Sequence, residues 1–262
     1  MANRLEGKAA VLTGASGGIG SATARRFVAE GASVVCADID DEGGEKLVAE
    51  LESAGGRAVH VHCDVTKPED LKAAVDVCIE RFGRVDVLFN NAATATGGYV
   101  ADLDLEGWDF SLKVMLSASL YGMQAAIPHM LEQGGGSIIN TSSVYGLAAS
   151  AANAPYCTAK AGLINLTKTA AVEYARKGIR ANCICPGVVD TPMADQVLSL
   201  GLKSRSALEH QHPIERLITA DEIANLVLFL ASDEASAITG QAIAIDGGLM
   251  SEVDLTGMPR VG

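Results

Sequence analysis

Short apolar runs alternate with longer amphipathic segments along the chain, and this alternation predicts the secondary structure. Continuous apolar runs of strand length occur at 8–13, 33–37, 57–62, 85–89, 136–141, 180–185 and 241–245. Segments with helical spacing of apolar residues fall between them, at 18–30, 41–54, 68–82, 105–131, 150–177 and 220–232. Strands without polar alternation are typical of a parallel sheet that is covered on both faces. We therefore predict an α/β fold with one doubly wound domain over residues 1–262, a central seven-stranded parallel sheet and helices on both faces.

Composition and charge narrow the class of protein. Of the 262 residues 48% are hydrophobic, which suffices for a large core, and the net charge is −12. An acidic surface repels nucleic acid and anionic membranes, so we expect neither as a partner. No run reaches the ~18 uninterrupted apolar residues that a membrane span requires. Residues 1–7 lack a secretory leader and the 6 cysteines are scattered, so we expect a reducing, cytoplasmic location.

Paired cysteines and histidines raise the question of a metal site. Cys183 and Cys185 would share one face of a strand, but no second pair of cysteines or histidines has ligand spacing. The histidine pairs, which lack an acidic or thiol cluster nearby in the sequence, are His60 with His62 and His210 with His212. We expect buried core thiols, ordinary histidines and no metal.

A glycine-rich segment at residues 13–20 (TGASGGIG) joins the first predicted strand to the first predicted helix. Its glycines permit a tight turn and let backbone amides approach a phosphate, and the helix N-terminus adds the positive end of its dipole. A plain turn is the alternative, but the strand–loop–helix context favours phosphate binding. We predict a Rossmann-type pyrophosphate site formed by Gly14, Ser16, Gly17, Gly18, Ile19 and Gly20.

Asp38 closes the second predicted strand, 24 residues after Gly14. A carboxylate at this position can accept hydrogen bonds from the ribose hydroxyls of an adenosine, and it repels a 2′-phosphate. We expect Asp40 or Asp41 to cap the next helix, which leaves Asp38 for binding. No Arg or Lys lies within 32–45, so NAD rather than NADP is the predicted cofactor.

Tyr156 and Lys160 are four residues apart on a predicted helix, and Ser143 lies 13 residues before the tyrosine. The spacing places the ammonium and the phenol on one helix face. A nearby cation favours the phenolate, which lowers the pKa of the tyrosine and makes proton transfer with an alcohol feasible. A hydroxyl such as that of Ser143 can hold the substrate oxygen while its charge changes.

These segments together resemble the short-chain dehydrogenase/reductase family, and the resemblance runs almost from end to end. The loop at 13–20 is similar to the family's TG-x-x-x-G-x-G, and Ser143, Tyr156 and Lys160 match its catalytic serine, tyrosine and lysine. Further similar elements follow in the family's order: 63–65 (CDV), 90–92 (NNA), 186–191 (PGVVDT) and 245–248 (IDGG).

The resemblance implies roles for individual residues. Tyr156 would be the general base in alcohol oxidation and the acid in ketone reduction, Lys160 would lower its pKa and hold the nicotinamide ribose, and Ser143 would stabilise the substrate oxygen. Tyr156 and Ser143 would thus both contact the substrate. Cofactor contacts implied in the same way are Asp64 and Val65 at the adenine, Asn91 near its ribose, and Val189 and Thr191 at the nicotinamide carboxamide.

The chain departs from the family's pattern at Met115, which stands where many members have an asparagine that anchors a water joined to the lysine. A thioether is at best a weak acceptor and donates nothing. Ser111 or Ser119 could hold the water instead, backbone carbonyls and solvent could suffice, or turnover could be lost. A second departure places Ala93 where the family's N-N-A-G has glycine.

Residues 190–214 resemble the family's variable segment over the substrate cleft, and Met193, Val197, Leu198 and Leu202 would form an apolar lid or simply pack a helix. Plausible pocket residues, which follow predicted strands, are Thr94, Thr96, Tyr145, Asn153 and Val189. The tail at 249–262 would lie against a neighbouring subunit, since the resemblance implies a homotetramer.

We therefore expect an NAD-dependent enzyme that interconverts a small-molecule secondary alcohol and a ketone, with a polyol, cyclic diol, sugar or keto ester as substrate class. A non-catalytic NAD-binding subunit or sensor is the alternative suggested by Met115. An NADP-linked ketoacyl-type reductase is a second alternative, and Asp38 argues against it.

Overall fold

The computed structural model describes residues 3–199 and 204–252. Its strands are β1 (Ala9–Thr13), β2 (Ser33–Asp38), β3 (Arg57–His62), β4 (Val87–Asn90), β5 (Gly136–Thr141), β6 (Ile179–Pro186), β7 (Val189–Asp190), β8 (Ile218–Thr219) and β9 (Ala242–Ile245). Seven of them form one sheet in the order β3-β2-β1-β4-β5-β6-β9, and all neighbours are parallel. The predicted seven-stranded parallel sheet is confirmed.

The helices lie between the strands. They are α1 (Gly18–Ala29), α2 (Asp41–Ser53), α3 (Pro68–Phe82), α4 (Leu105–Leu112), α5 (Ala118–Glu132), α6 (Val144–Leu147), α7 (Ala154–Tyr174), α8 (Pro192–Ser199), α9 (Arg205–His210) and α10 (Ala220–Ala231). A π-helical turn, Lys113–Ser117, joins α4 to α5. No helix within the described ranges is long and apolar enough to cross a membrane.

The apolar side chains of the strands divide between two cores, one on each face of the sheet. In β1, Val11 packs into the core formed with α3, α5 and α7, whereas Leu12 packs into the core formed with α1, α2 and α10. Both residues have no exposed surface. Successive side chains of a strand point to opposite faces, so a continuous apolar run is what a sheet with two covered faces requires.

The helices differ from the prediction at two places that border the site. The predicted helix at 105–131 is interrupted by the π turn, and the predicted helix at 150–177 begins only at Ala154, after the separate short helix α6. A second, two-stranded sheet pairs β7 with β8 and was not predicted. Leu202 of the expected lid and residues 253–262 of the expected tail lie outside the described residues.

Candidate active site

The loops that follow β1, β2, β4, β5 and β6 meet at one edge of the sheet, because parallel strands have their carboxyl ends on the same side. The sequence-predicted site residues lie in these loops: Gly14 follows β1, Asn91 follows β4, Ser143 follows β5, and Thr191 follows the short strand β7 in the segment after β6. Asp38 is the last residue of β2. The topology therefore brings these predicted residues to one crevice.

The glycine loop is built by close backbone approaches. Gly14 has a φ of 62°, and a Cβ on Gly20 would lie 2.1 Å from the carbonyl oxygen of Gly14. A Cβ on Gly18 would lie 2.5 Å from the methyl carbon of Thr191, so this loop touches the loop after β6. No side chain caps the N-terminus of α1, and its first turn has no acidic residue. The free amides and the dipole of α1 suit a pyrophosphate.

Asp38 lies against the glycine loop. Its carboxylate accepts hydrogen bonds from the backbone N–H of Ser16 at 2.8 Å and of Asp40 at 3.1 Å. Asp40 is the N-cap of α2, where its side chain accepts from the N–H of Gly43 at 3.0 Å. The prediction that Asp40 or Asp41 caps the helix, and not Asp38, is therefore confirmed.

The Ser16 hydroxyl oxygen is buried, and within the described residues it has no hydrogen-bond partner. Buried hydroxyls without a partner are rare, and each calls for an unseen ligand or water. This orphaned oxygen lies beside Asp38, where two backbone amides already orient a carboxylate. The Ser16 hydroxyl and the Asp38 carboxylate together fit the adenosine ribose and the pyrophosphate of a dinucleotide.

Asn91 ties three strands together at the crevice. Its side-chain amide donates to the carbonyl oxygens of Thr13 at 3.3 Å and Gly14 at 3.2 Å, and its side-chain oxygen accepts from the hydroxyl of Thr141 at 3.2 Å. The Thr13 hydroxyl accepts in turn from the N–H of Asn91 at 3.0 Å and of Ala92 at 3.3 Å. Asn91 thus holds the glycine loop in place, and Thr13 is a partner that the sequence analysis missed.

Asp64 and Val65 follow β3 but face differently. The Asp64 carboxylate accepts from the N–H of Thr66 at 3.0 Å and from its hydroxyl at 2.7 Å, and these hydrogen bonds hold the pKa of Asp64 below its usual value. Its side chain therefore serves the turn into α3. Val65 is buried and lines a small cavity with Thr13 and Ala92. Only the second residue borders the crevice through its side chain.

Ser143, Tyr156 and Lys160 converge beside this crevice. Ser143 is the N-cap of α6, where its oxygen accepts from the N–H of Tyr145 at 3.1 Å. The Ser143 side chain acts on the Tyr156 phenol and favours its ionised form, and the ammonium nitrogen of Lys160 lies 5.5 Å from the centre of the Tyr156 ring. Lys160 also donates to the carbonyl oxygen of Thr141, at the end of β5, at 2.7 Å.

Burial controls the ionisation of this group. It lowers the pKa of Lys160, which is 1% exposed, to about 8. Burial also raises the pKa of Tyr156, and the Ser143 side chain opposes that rise. Desolvation of the phenolate outweighs the other effects in the chain by itself, and the lowering of the Tyr156 pKa by Lys160 stays a prediction.

Met115 lies in the π turn and is 1% exposed, packed in the core that contains α3, α5 and α7. The neighbouring Leu116 contacts α7, since a Cβ on Gly162 would lie 3.1 Å from its Cδ2 atom. Ser111 donates its hydroxyl to the carbonyl oxygen of Gly107 at 2.6 Å and contacts the hydroxyl of Thr96. The Ser111 hydroxyl therefore already has hydrogen-bond partners. The π turn itself departs from the regular hydrogen-bonding pattern of an α-helix, and such turns are frequent at functional sites.

The residues expected to line the pocket are only partly assembled. The Tyr145 ring packs edge-on against the Tyr156 ring, with 6.3 Å between centroids. Asn153 precedes α7 and forms a β-bridge with Gly98. Val189, by contrast, belongs to the core on the α1 face. The structure therefore favours Tyr145 and Asn153 as neighbours of the reacting group.

The lid segment comprises α8 and α9 with undescribed residues between them. Met193 is partly exposed and Leu198 partly buried, and the side chain of Val197 is not described. Arg205, at the start of α9, forms an ion pair with Asp190 in β7. The segment is thus fastened to the loop after β6.

His60 and His62 share one acidic partner, which their neighbourhood in the sequence does not show. The side-chain oxygen of Asp41 lies 2.9 Å from a ring nitrogen of each histidine. These hydrogen bonds lower the pKa of Asp41. The three residues meet because β2 and β3 pair in register with Cys36 opposite His60, a proximity that sequence spacing does not reveal.

A glycine loop, an acidic residue at the end of the second strand and a Ser–Tyr–Lys group on one crevice define a dinucleotide-binding oxidoreductase site. The family model described as Enoyl-(Acyl carrier protein) reductase matches residues 14–250. A crystal structure of a short-chain type dehydrogenase/reductase from Mycobacterium marinum matches with a TM-score of 0.90 and 32% identity, over 95% of this chain and 98% of that one. The chain belongs to the short-chain dehydrogenase/reductase family.

Curated relatives of similar length have several activities. A 2,5-dichloro-2,5-cyclohexadiene-1,4-diol dehydrogenase of Sphingobium indicum is 42% identical over 95% of this chain and 98% of its own. A 3-oxoacyl-[acyl-carrier-protein] reductase of Thermotoga maritima is 40% identical, with 94% and 99% covered. A cyclohexanol dehydrogenase of an Acinetobacter species is 39% identical, with 96% and 98% covered.

Proposed function

We propose that the protein is an NAD-dependent oxidoreductase that interconverts a cyclic secondary alcohol and the corresponding ketone. The observation that carries the proposal is the contact group at the crevice. Ser143 favours the ionised form of Tyr156, and the buried Lys160 ammonium lies 5.5 Å from the tyrosine ring. A partly buried phenol and a buried ammonium beside a dinucleotide loop suit proton exchange with an alcohol.

Each of the three residues has a task in this scheme. Ser143 orients the substrate oxygen through its hydroxyl, and Tyr156 removes the alcohol proton in oxidation or returns it in reduction. Lys160 keeps two further N–H donors besides the one used on Thr141, and these can hold the nicotinamide ribose. When bound, the nicotinamide ring accepts or supplies the hydride. The protein contributes placement and electrostatics.

Lys160 also supports the ionisation of Tyr156, although burial alone raises the pKa of that phenol. Tyr156 must pass through its anionic form to serve as a base. In a site closed to water an ammonium next to a phenolate is stabilised far more than in solution. The elevated tyrosine pKa therefore describes the isolated chain, and we propose that the closed, substrate-bound site lowers it.

The choice of NAD rests on the surroundings of Asp38. The orphaned Ser16 hydroxyl and the oriented Asp38 carboxylate suit a ribose with two free hydroxyls. A 2′-phosphate at this position would meet a negative charge, and no Arg or Lys lies within 32–45 to balance it. We propose that the remaining cofactor contacts are made by the glycine loop, Asn91 and the loop containing Val189 and Thr191, with Val65 at the adenine and Asp64 shaping its turn.

The substrate class follows the relatives together with the pocket. Two of the relatives named above carry cyclic alcohols in their names, a cyclohexadiene diol and cyclohexanol. The aromatic rings of Tyr145 and Tyr156 and the polar Asn153 give a lining that is part apolar and part polar. A six-membered ring with one or two hydroxyl groups satisfies both parts. The acyl-carrier relative suggests the alternative of a β-ketoacyl substrate.

Met115 supports a second candidate function, a dinucleotide-binding protein without turnover. Its buried thioether offers no donor for a relay to Lys160. Against this stand the complete Ser143–Tyr156–Lys160 group and the π turn, whose backbone carbonyls we propose as the replacement anchor for water. We favour retained catalysis.

Further parts of the proposal concern the whole molecule. We propose one domain with a lid over about 190–214, a cytoplasmic location, and a homotetramer whose subunits cover exposed apolar side chains. Val172 on α7 is 83% exposed and Leu120 on α5 is 39% exposed, which supports burial of these helices between subunits.

The test is NADH formation from NAD with a panel of cyclohexanols, cyclic diols, linear polyols and β-hydroxyacyl thioesters at mildly alkaline pH. Tyr156→Phe serves as the matched variant, since it removes one hydroxyl and keeps the ring. We expect turnover of the cyclic alcohols that falls by at least about 10³-fold in the Phe variant. NADH binding without turnover of any panel member would instead favour the non-catalytic protein.

A further inference from the structure

His212, directly after α9, is fully buried and contacts two backbone groups. Its Nδ1 atom lies 2.8 Å from the carbonyl oxygen of Leu208, and its Nε2 atom accepts from the N–H of Val188 at 3.1 Å. A carbonyl only accepts and a backbone N–H only donates. The ring therefore carries its proton on Nδ1 and presents a lone pair on Nε2, which is the neutral imidazole in one fixed tautomer.

Val188 belongs to the loop 187–191, which leaves the end of β6 and includes the two-residue strand β7. On one side this loop touches the glycine loop, where the Thr191 methyl carbon fills the space beside Gly18. On the other side it starts next to the end of β5, since Thr141 pairs with Ile184 of β6 and Ser143 follows two residues later. A dinucleotide that extends from the glycine loop toward Ser143 must therefore place its nicotinamide half against the loop 187–191.

The helix α9 is fastened to this loop at both of its ends. Arg205 at its start pairs with Asp190, and Leu208 near its end accepts from His212, which in turn accepts from Val188. The space around the imidazole is tight, because a Cβ on Gly187 would lie 2.7 Å from Nε2. The loop position thus depends on the Nε2 lone pair.

We propose that His212 is a positioning residue that holds the loop 187–191 in the geometry that binds the nicotinamide half of the cofactor, and that proton uptake by His212 releases this loop. A proton on Nε2 would face the N–H of Val188, donor against donor. The inference rests on the proposed function insofar as the loop binds nicotinamide.

Several charged groups among the described residues lie on the elements around His212. Asp246, after β9, accepts from the N–H of Gly248 at 3.0 Å and of Met250 at 2.7 Å. Glu209 on α9 pairs with Arg205 at 3.2 Å, and Arg205 also pairs with Asp190 on β7. The remaining charged groups along this stretch are His210 and Glu215.

The experiment compares the wild type with His212→Gln, His212→Leu and the control His210→Gln, which changes the exposed neighbouring histidine. Glutamine keeps an acceptor for Val188 and cannot titrate, whereas leucine removes the acceptor. Binding of NADH and of ADP-ribose, which lacks the nicotinamide, is measured by calorimetry at about pH 8 and about pH 5.5, the range in which imidazoles change charge. Circular dichroism at both pH values checks the fold.

When the pH is lowered from about 8 to about 5.5, we expect the NADH affinity of the wild type and of His210→Gln to fall about tenfold more than that of His212→Gln. A tenfold difference corresponds to the loss of about one hydrogen bond. ADP-ribose affinity should change equally in all variants. His212→Leu, if it folds, should bind NADH about tenfold more weakly at either pH.

Equal pH dependence of NADH binding in the wild type and His212→Gln would overturn the proposal, and so would an effect of the same size on ADP-ribose. Absence of NADH binding in every variant at both pH values would refute the proposed function instead. If His212→Leu fails to fold, the comparison with His212→Gln still decides, because that variant keeps the hydrogen bond.

Discussion

Asp38→Asn is the substitution that most directly tests the assignment of NAD. Asparagine has nearly the same shape as aspartate and retains a side-chain oxygen that can accept from the N–H of Ser16, now found at 2.8 Å. The loop geometry should therefore survive while the negative charge is lost. Asp38→Ser, which removes the carboxylate together with its reach, is the second variant.

The size of the effect follows from two terms. Two unit charges about 4 Å apart repel by ~1 kcal/mol in water and ~4 kcal/mol at an effective dielectric constant of about 20. Asp38 is partly buried, so repulsion of a 2′-phosphate should lie between these limits. Hydrogen bonds from ribose hydroxyls to a charged acceptor add about 1.5–3 kcal/mol in favour of NAD. Together they predict a preference for NAD of roughly 10²- to 10⁵-fold.

The assay is kcat/KM for NAD and for NADP with one cyclic alcohol at fixed ionic strength. We expect Asp38→Asn to lower the NAD:NADP ratio by at least about 30-fold, chiefly through better use of NADP, and Asp38→Ser to lower it further. An NAD:NADP ratio that stays within about threefold of the wild-type ratio would refute the reasoning, because removing the repulsion between Asp38 and the 2′-phosphate should change that ratio.

Three further substitutions test other parts of the structure. Met115→Asn should raise kcat several-fold but lower the Tm, because it buries an amide, whereas the control Met123→Asn should lower the Tm without a gain in kcat. Lys160→Met should abolish turnover yet stabilise the fold. Folding lowers the pKa of Lys160 from 10.5 to about 8, so below about pH 8 the wild type carries the full cost of a buried ammonium. The wild type regains that stability as the pH rises from about 8 toward 10.5. Denaturant titrations should show the difference between the two proteins shrinking across that window; a constant difference would contradict it. Gly20→Ala should lower the Tm and NADH binding strongly, since its Cβ would lie 2.1 Å from a carbonyl oxygen, while Gly17→Ala, with 3.4 Å to the nearest atom, should leave the Tm within a few degrees of the wild type.

The sequence predicted the strands and the sheet because each parallel strand is a continuous apolar run, and this signal is local. It also predicted which residues meet at the crevice, because short loops after parallel strands must share one edge. The orientation of Asp38 was predictable since Asp40 offered a better cap for α2. The roles of Ser143, Tyr156 and Lys160 stay predictions until turnover is measured.

Features that arise from contacts distant in the chain were not predictable. The π turn at Lys113–Ser117 interrupts a segment whose apolar pattern predicts one continuous helix. The raised pKa of Tyr156 reflects burial, which depends on packing and not on the spacing to Lys160. The contacts of His212 require the register between α9 and the loop after β6. In each case the decisive neighbour is supplied by tertiary structure.

The order of strands has a consequence for the synthesis of the chain. Within the part of the chain that the structure describes, β9 is the strand of the large sheet that is synthesised last, and it pairs with β6. Six strands of the sheet are therefore complete in the nascent chain while the outer edge of β6 still lacks its partner, and Cys183 and Cys185 lie on that edge strand. Unpaired strand edges bind other chains. Aggregation of this protein should thus be most acute in the interval between synthesis of residues 186 and 245, and truncation before β9 should prolong it.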